Sequence, residues 1–130
     1  MCKIALAGRR FIVSPLFILL FPLLVLAGPY RKVRTLTLNG RAYNAYVADN
    51  FIARAIGYMF RDPLDVKRGE CMVFEFNSGG PHWFWMLDVH FDIDLYTKGS
   101  KGTYKKACTM ESGSLRQVCV AGRSLVEVKR

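Results

Sequence analysis

Thr35-Leu36-Thr37-Leu38-Asn39-Gly40 followed by Arg41 to Ala48 (TLTLNG, then RAYNAYVA) is the stretch on which the fold turns. Apolar and polar residues alternate from Thr35 to Leu38, the period of a half-buried strand. Asn39-Gly40 then supplies the two positive φ angles of a tight hairpin, so Arg41–Ala48 is read as the return strand. Asp49 or Asn50 can cap a short helix over Phe51 to Tyr58, where Phe51, Ile52, Ala55 and Ile56 fall at helical spacing and Gly57 suits a left-handed stop. Pro63, Asp65 and Gly69 mark a loop, and Met72, Phe74 and Phe76 share one face of a strand over Cys71–Phe76.

Further along, Asn77 to Pro81 reads as a turn, His82–Met86 and Ile93–Thr97 as strands, and Lys98–Gly102 as a polar turn. Strands are also expected around Thr103–Thr109 and Leu115–Val128, the last broken near Ala121-Gly122. The result is a mostly β, small α+β domain, barrel-like or sandwich-like, with one short helix. It forms a single β-rich domain over residues 35–130, preceded by an N-terminal hydrophobic helix.

That preceding segment explains the charge. The 130 residues carry 19 Lys plus Arg against 10 Asp plus Glu, a formal +9. Such a charge invites a nucleic-acid reading. Its distribution argues otherwise. Lys3, Arg9, Arg10, Arg31, Lys32 and Arg34 lie in residues 1–34, which contain no acid, and the remaining residues are only +3. Between the basic clusters, Phe11 to Ala27 (FIVSPLFILLFPLLVLA) is uncharged and 14 of its 17 residues are apolar. As a helix it would span roughly 26 Å, against roughly 30 Å for a bilayer core. It therefore reads either as a membrane anchor or as the apolar stretch of a signal peptide, with Val25-Leu26-Ala27 before Gly28 as a cleavage-like site that Pro29 disfavours. Both readings make residues 11–27 the contact with membrane; three Lys or Arg precede the run and three follow it, so the positive-inside rule is nearly tied, and it is the signal-like leader that leads us to expect the domain outside the cytoplasm.

Three blocks then carry a family resemblance. Gly57-Tyr58-Met59-Phe60-Arg61, Met72-Val73-Phe74-Glu75-Phe76, and Phe84-Trp85-Met86 with Asp94 eight residues beyond resemble domain of unknown function family 192, also called uncharacterised protein family 0127. The resemblance covers about Leu36 to Val128. It implies a compact, mostly β domain, often behind an N-terminal signal or anchor, and it supplies no catalytic residue. Asp92 stands where the family tends to have Pro, and Asp88 where many members have Asn. The chain ends at Arg130, so it is expected to be short relative to the family at its C-terminus.

Asp88, His90, Asp92 and Asp94 recur at every second position. On a regular strand they would line one face, as a solvated polar face with Asp94 accepting hydrogen bonds from Arg61 or backbone. Alternatively, Asp88, His90 and Asp92 would supply oxygen and imidazole ligands to a divalent metal. No other cofactor is expected. Same-face neighbours on a strand are roughly 7 Å apart, so other segments would have to complete a metal shell. Trp83 and Trp85 alternate with Phe84 and Met86, one pair facing a core and the other a second apolar layer or a binding surface. Cys108 and Cys119 could form a disulfide in an oxidising compartment, or be buried as small hydrophobes. Cys71, inside a strand, is expected in the core.

The leading expectation is a membrane-anchored or exported, non-enzymatic binding or accessory domain. Arg61, Trp85, Asp88 and Asp94 would form a surface pocket for a small molecule, glycan or protein. The alternative is a small metal-dependent or carboxylate-based hydrolase using the Asp88–Asp94 acids.

Overall fold

The computed structural model describes residues 3–4 and 33–130. The apolar run 11–27 lies outside the described residues. Among the described residues no helix is long and apolar enough to cross a membrane. The elements in order are β1 (Lys3–Ile4), β2 (Val33–Leu38), β3 (Arg41–Ala48), α1 (Phe51–Ile56), β4 (Glu70–Glu75), β5 (Pro81–Phe84), β6 (Ile93–Lys98), β7 (Tyr104–Met110), β8 (Val118–Ala121) and β9 (Ser124–Lys129).

The Asn39-Gly40 hairpin forms as read, with φ of 50° and 77° at the two turn residues and Leu38 opposite Arg41. The next pairing, β3 with β4, is parallel, so the chain must cross over between them. Residues 49–69 make that crossover and contain α1. The Asn50 side chain accepts a hydrogen bond from the Ala53 N–H at 2.9 Å and starts the helix. Gly57, at φ 50°, ends it after Ile56, one turn or less short of the predicted Tyr58. The other pairs in the main sheet are antiparallel, giving the order β2-β3-β4-β9-β6-β7. A second sheet, β1-β8-β5, is antiparallel. Both sheets are open, and the molecule is mostly β with one short helix.

Alternation along the strands assigns the two faces of the main sheet. On one face, Met72 and Phe74 of β4, Leu125 of β9, and Ile93 and Leu95 of β6 are buried beneath α1, the loop after it, and Phe84 and Val120 of the small sheet. Phe74 and Phe84 meet edge to face at 5.3 Å. On the other face, Leu38, Ala45, Val47, Cys71, Val73 and Val126 form a second buried cluster. Burial pushes the Cys71 thiol up to about 12, consistent with the core position expected for it.

The predicted last strand is interrupted at Gly122, where φ is 155°. Its backbone accommodates no side chain. A Cβ there would lie 2.6 Å from Thr97 Oγ1 and 3.2 Å from Leu125 Cδ2. Thr97 Oγ1 donates to the carbonyl of Ala121 at 2.9 Å, so the clash would also break the bond that holds the β8–β9 turn against β6. Gly122→Ala is expected to destabilise the protein by about 2–3 kcal/mol, combining backbone strain with a lost contact. Denaturant unfolding checks this, with Gly113→Ala, at φ 67° and nothing within 4 Å of the added Cβ, as a strain-only comparison expected to cost less.

Candidate functional site

Strand β9 places a carboxyl where its pattern calls for an apolar group. Glu127 has the same parity as Leu125 and therefore faces the core beneath α1. It sits between Met72 of β4 and Leu95 of β6 in the ladder. It is 4% exposed. Its Oε2 has no hydrogen-bond partner. Desolvation alone drives the acid up to about 8, because the ionised form loses its water without gaining a compensating charge. At neutral pH the group is therefore mainly a carboxylic acid.

Glu127 is one of the residues lining a cleft between the helix end and the small sheet. Gly57, Tyr58, Met59, Phe74, Trp83, Phe84, Trp85, Val89 and Arg54 complete its walls with neighbouring helix residues. A Cβ on Gly57 would sit 3.5 Å from Phe74 Cζ and 3.8 Å from Glu127 Oε2, and φ of 50° is a conformation side chains disfavour. The chain can thus turn down directly over the carboxyl. Immediately after it, Tyr58 is buried, packs edge to face on Phe91 at 5.4 Å, and leaves its hydroxyl without a hydrogen bond. Burial raises the Tyr58 hydroxyl well above its ordinary range, Glu127 and Cys71 raise it further, and the Arg61 guanidinium opposes them.

The tryptophans divide as their alternation predicted: Phe84 and Met86 are buried, whereas Trp83 is 49% and Trp85 36% exposed at the cleft. Trp85 Nε1 donates to Met59 Sδ at 3.4 Å and fixes that wall to the loop after α1. Arg54 is turned to other work, donating to the carbonyls of Asp49 and Glu75, each at 2.9 Å, and lying over the Phe76 ring.

Of the sequence-predicted site residues, Trp85 lines the cleft and Arg61, Asp88 and Asp94 do not. Arg61 and Asp88 lie on its flanking loops, which are joined by the Phe60 N–H to Asp88 carbonyl bond at 3.2 Å. Asp94 is elsewhere, on β6, with Lys106 at 2.8 Å and Thr109 at 2.7 Å. Burial works against its carboxylate, but the hydrogen bonds from Lys106 and Thr109 outweigh it and hold the acid below its usual range. The expected pairing of Arg61 with Asp94 is thus replaced by a cross-strand ion pair, and Arg61 Nε is buried without a partner.

The every-second-residue reading of Asp88, His90, Asp92 and Asp94 also needs correction. Residues 87–92 are loop, with a Val89 N–H to Met86 carbonyl turn and a positive φ of 53° at Asp88, so the four side chains share no strand face. Asp88 and His90 pair with each other at 3.1 Å near solvent, while Asp92 Oδ1 accepts from the Ser112 N–H at 2.8 Å. No group of three metal-binding side chains occurs among the described residues. The acids proposed for hydrolysis do not converge in one concave site. Cys108 on β7 and Cys119 on β8 fall in different sheets, and their sulfurs are not joined.

Glu127 was available to sequence reasoning. In Ser124-Leu125-Val126-Glu127-Val128 it occupies the parity of Leu125 and interrupts the otherwise apolar run Leu125 to Val128 with one ionisable residue. The raised acid has a stability consequence. An acid with folded pKa about 8 against an ordinary 4.5 binds more protons folded than unfolded between those values, so stability falls as pH rises through that window. The slope from this group is about 1.4 kcal/mol per pH unit at most. Urea unfolding at pH 5, 6.5 and 8 is expected to show this loss, and Glu127→Gln, which cannot ionise, is expected to flatten it and to be the more stable variant at pH 8.

Comparison with known proteins places the chain. The profile of DUF192, described as "Uncharacterized ACR, COG1430", matches residues 34–129. A crystal structure of a protein of unknown function from Novosphingobium aromaticivorans is similar over 75% of this chain and 71% of its own, with a TM-score of 0.63 at 19% identity. A crystal structure from Sinorhizobium meliloti, described as a candidate transcription regulator, is similar over 75% of this chain and 78% of its own, with a TM-score of 0.52 at 23% identity. At these identities the likeness is one of fold. No curated protein matches. With its profile matched across nearly the whole described domain, the chain belongs to the uncharacterised DUF192 family.

Proposed function

We propose that this protein is a small-molecule-binding domain, held at or exported across a membrane by residues 11–27, whose ligand enters the cleft over Glu127. The observation that carries this reading is Glu127, whose carboxyl Oε2 is buried without a hydrogen-bond partner, in the lining of an aromatic-walled cleft that Tyr58, its hydroxyl also buried and unpartnered, lines as well. Buried polar groups are ordinarily satisfied, and each one left alone costs about 1–3 kcal/mol. Residues of this kind in one lining, beside two partly exposed tryptophans, have the composition of a ligand site: apolar walls with a few polar groups. The acids of residues 88–94 support an enzymatic reading less well, because their partners are already within the protein.

The membrane part of the reading rests on the uncharged run 11–27 between Arg9-Arg10 and Arg31-Lys32. A reporter that works only outside the cytoplasm, fused after Arg130, is expected to be active; activity confined to a cytoplasmic reporter would contradict it.

Binding can be read without a label, since Trp83 and Trp85 are the only tryptophans of the chain and both line the cleft. The full chain in a mild nonionic detergent, titrated with a millimolar panel of saccharides, amino acids, aliphatic amines and carboxylates, is expected to show a saturable emission change with at least one class. Trp85→Ala should weaken that compound about tenfold or more, the scale of a lost aromatic contact in a pocket. Emission unchanged across the whole panel would contradict the proposal.

A further inference from the structure

Resting on the reading of residues 11–27 as the membrane contact, and independently of the cleft, we infer that the end of the main sheet where β2 begins docks on an anionic lipid surface. Phe51 and Ile52 would enter the headgroup layer, and the lysines and arginines of that end would meet the lipid phosphates.

The strand register defines this end. Val33 opens β2 opposite Tyr46, two residues before β3 closes at Ala48, and Ala48 lies opposite Phe74 in the parallel pair. Glu75, the last residue of β4, faces Ser124, the first of β9; Leu125 faces Thr97, and Lys98, the last residue of β6, faces Tyr104, the first of β7. Six strand termini therefore share one end. Hydrogen bonds tie the flanking segments to it: Arg34 pairs with Glu75, Arg54 of α1 donates to the carbonyls of Asp49 and Glu75, and the Phe76 N–H donates to the Arg123 carbonyl.

Charge distinguishes this end from the rest of the domain. It carries Arg34, Arg54, Lys98, Lys101, Lys105 and Arg123 against two acids, Asp49 and Glu75. The remainder of residues 33–130 holds eight Lys and Arg against eight Asp and Glu. The whole positive excess of the domain is thus gathered at one place. Lys98, Lys101 and Lys105 are exposed on the β6–β7 hairpin, whose turn is closed by the Gly99 N–H to Thr103 carbonyl bond at 2.9 Å.

Large apolar side chains are exposed at the same end, with Phe51 76% and Ile52 40% exposed at the start of α1 and Val33 58% exposed at the start of β2. Basic residues around an exposed apolar tip are the composition of a surface that enters the headgroup boundary, where the apolar groups leave water and the cations keep anionic partners.

The tether selects lipid as the anionic partner. Gly28-Pro29-Tyr30-Arg31-Lys32 are all that separate Ala27, the last residue of the apolar run, from Val33. Six residue steps reach no more than about 22 Å even fully extended. A run held in the bilayer therefore keeps the β2 start, and with it this basic end, close to the headgroups, and Arg31 and Lys32 add two further cations beside it. Each basic residue near an anionic surface multiplies the docked population about fivefold, an attraction that salt screens.

The test uses the unmodified full chain in lipid nanodiscs, made either of phosphatidylcholine alone or with about one quarter phosphatidylglycerol to supply anionic surface. Lysine acylation read by mass spectrometry reports which side chains are covered, with exposed Lys67, on the crossover before β4 at the opposite end, as the reference within the same molecule. The inference expects Lys98, Lys101 and Lys105 to react at least about threefold more slowly relative to Lys67 in the anionic discs, and expects about 0.5 M salt to abolish the difference while the chain stays in the disc. Phe51→Ser, at a side chain outside the core, should reduce this protection at least about twofold without lowering the melting temperature. Lysine reactivities that are the same in the two kinds of disc would overturn the docking and leave residues 11–27 as the membrane contact. So would protection by a single-stranded oligonucleotide that anionic lipid does not reproduce. A chain that enters neither disc would overturn both.

Discussion

Removing an ionised carboxyl from water without a counter-charge is among the most costly operations available to a folded chain, and in this protein the strand ladder enforces it at Glu127. β9 is central, bonded to β4 on one side and β6 on the other, so its register cannot slip without turning Leu125 and Val126 out of their respective cores. The carboxyl is held inside by the same pairing that buries its neighbours. Its escape is to keep a proton, which is why desolvation raises it to about 8.

Other elements are arranged around that constraint. The parallel β3–β4 pairing demands a crossover, the crossover brings α1 over the sheet, and Gly57 lets the chain descend onto Phe74 and Glu127 as the helix ends. The small sheet closes the opposite side through Phe84, and its exposed neighbours Trp83 and Trp85 are left at the opening. An apolar residue at 127 would complete the core. Glu127 instead puts a buried, unpartnered carboxyl in the cleft lining, beside Tyr58, whose hydroxyl is likewise unpartnered.

Much of the fold was legible in local pattern. Asn39-Gly40 specified a hairpin by backbone conformation, Asn50 and Gly57 bounded a helix by capping chemistry, and the Trp83 to Met86 alternation separated wall from core. Those are short-range constraints written into adjacent residues. The site was less legible because it is assembled by pairing between distant strands. Asp88 to Asp94 carried a period-two pattern, yet Asp88 and Asp92 accept hydrogen bonds that belong to a loop, and Asp94 alone continues into β6 beside Lys106. Arg61 and Asp94 end two motif blocks without meeting. Glu127 looked like an ordinary strand glutamate until the ladder placed Met72 and Leu95 on either side of it. Its signal, one ionisable residue inside the apolar run Leu125 to Val128, was present but could be weighed only once both faces were known to be buried.

The protonation state of the Glu127 side chain distinguishes a buried, unpaired acid from a solvated or paired one. A pH titration of the Glu127 side-chain carboxyl by carbon NMR, assigned by the loss of its resonance in Glu127→Gln, measures it without a ligand. A midpoint near 8 would agree with a buried, unpaired acid at the floor of the cleft. A midpoint near the ordinary 4.5 would mean that Glu127 is solvated or already paired, and would contradict it.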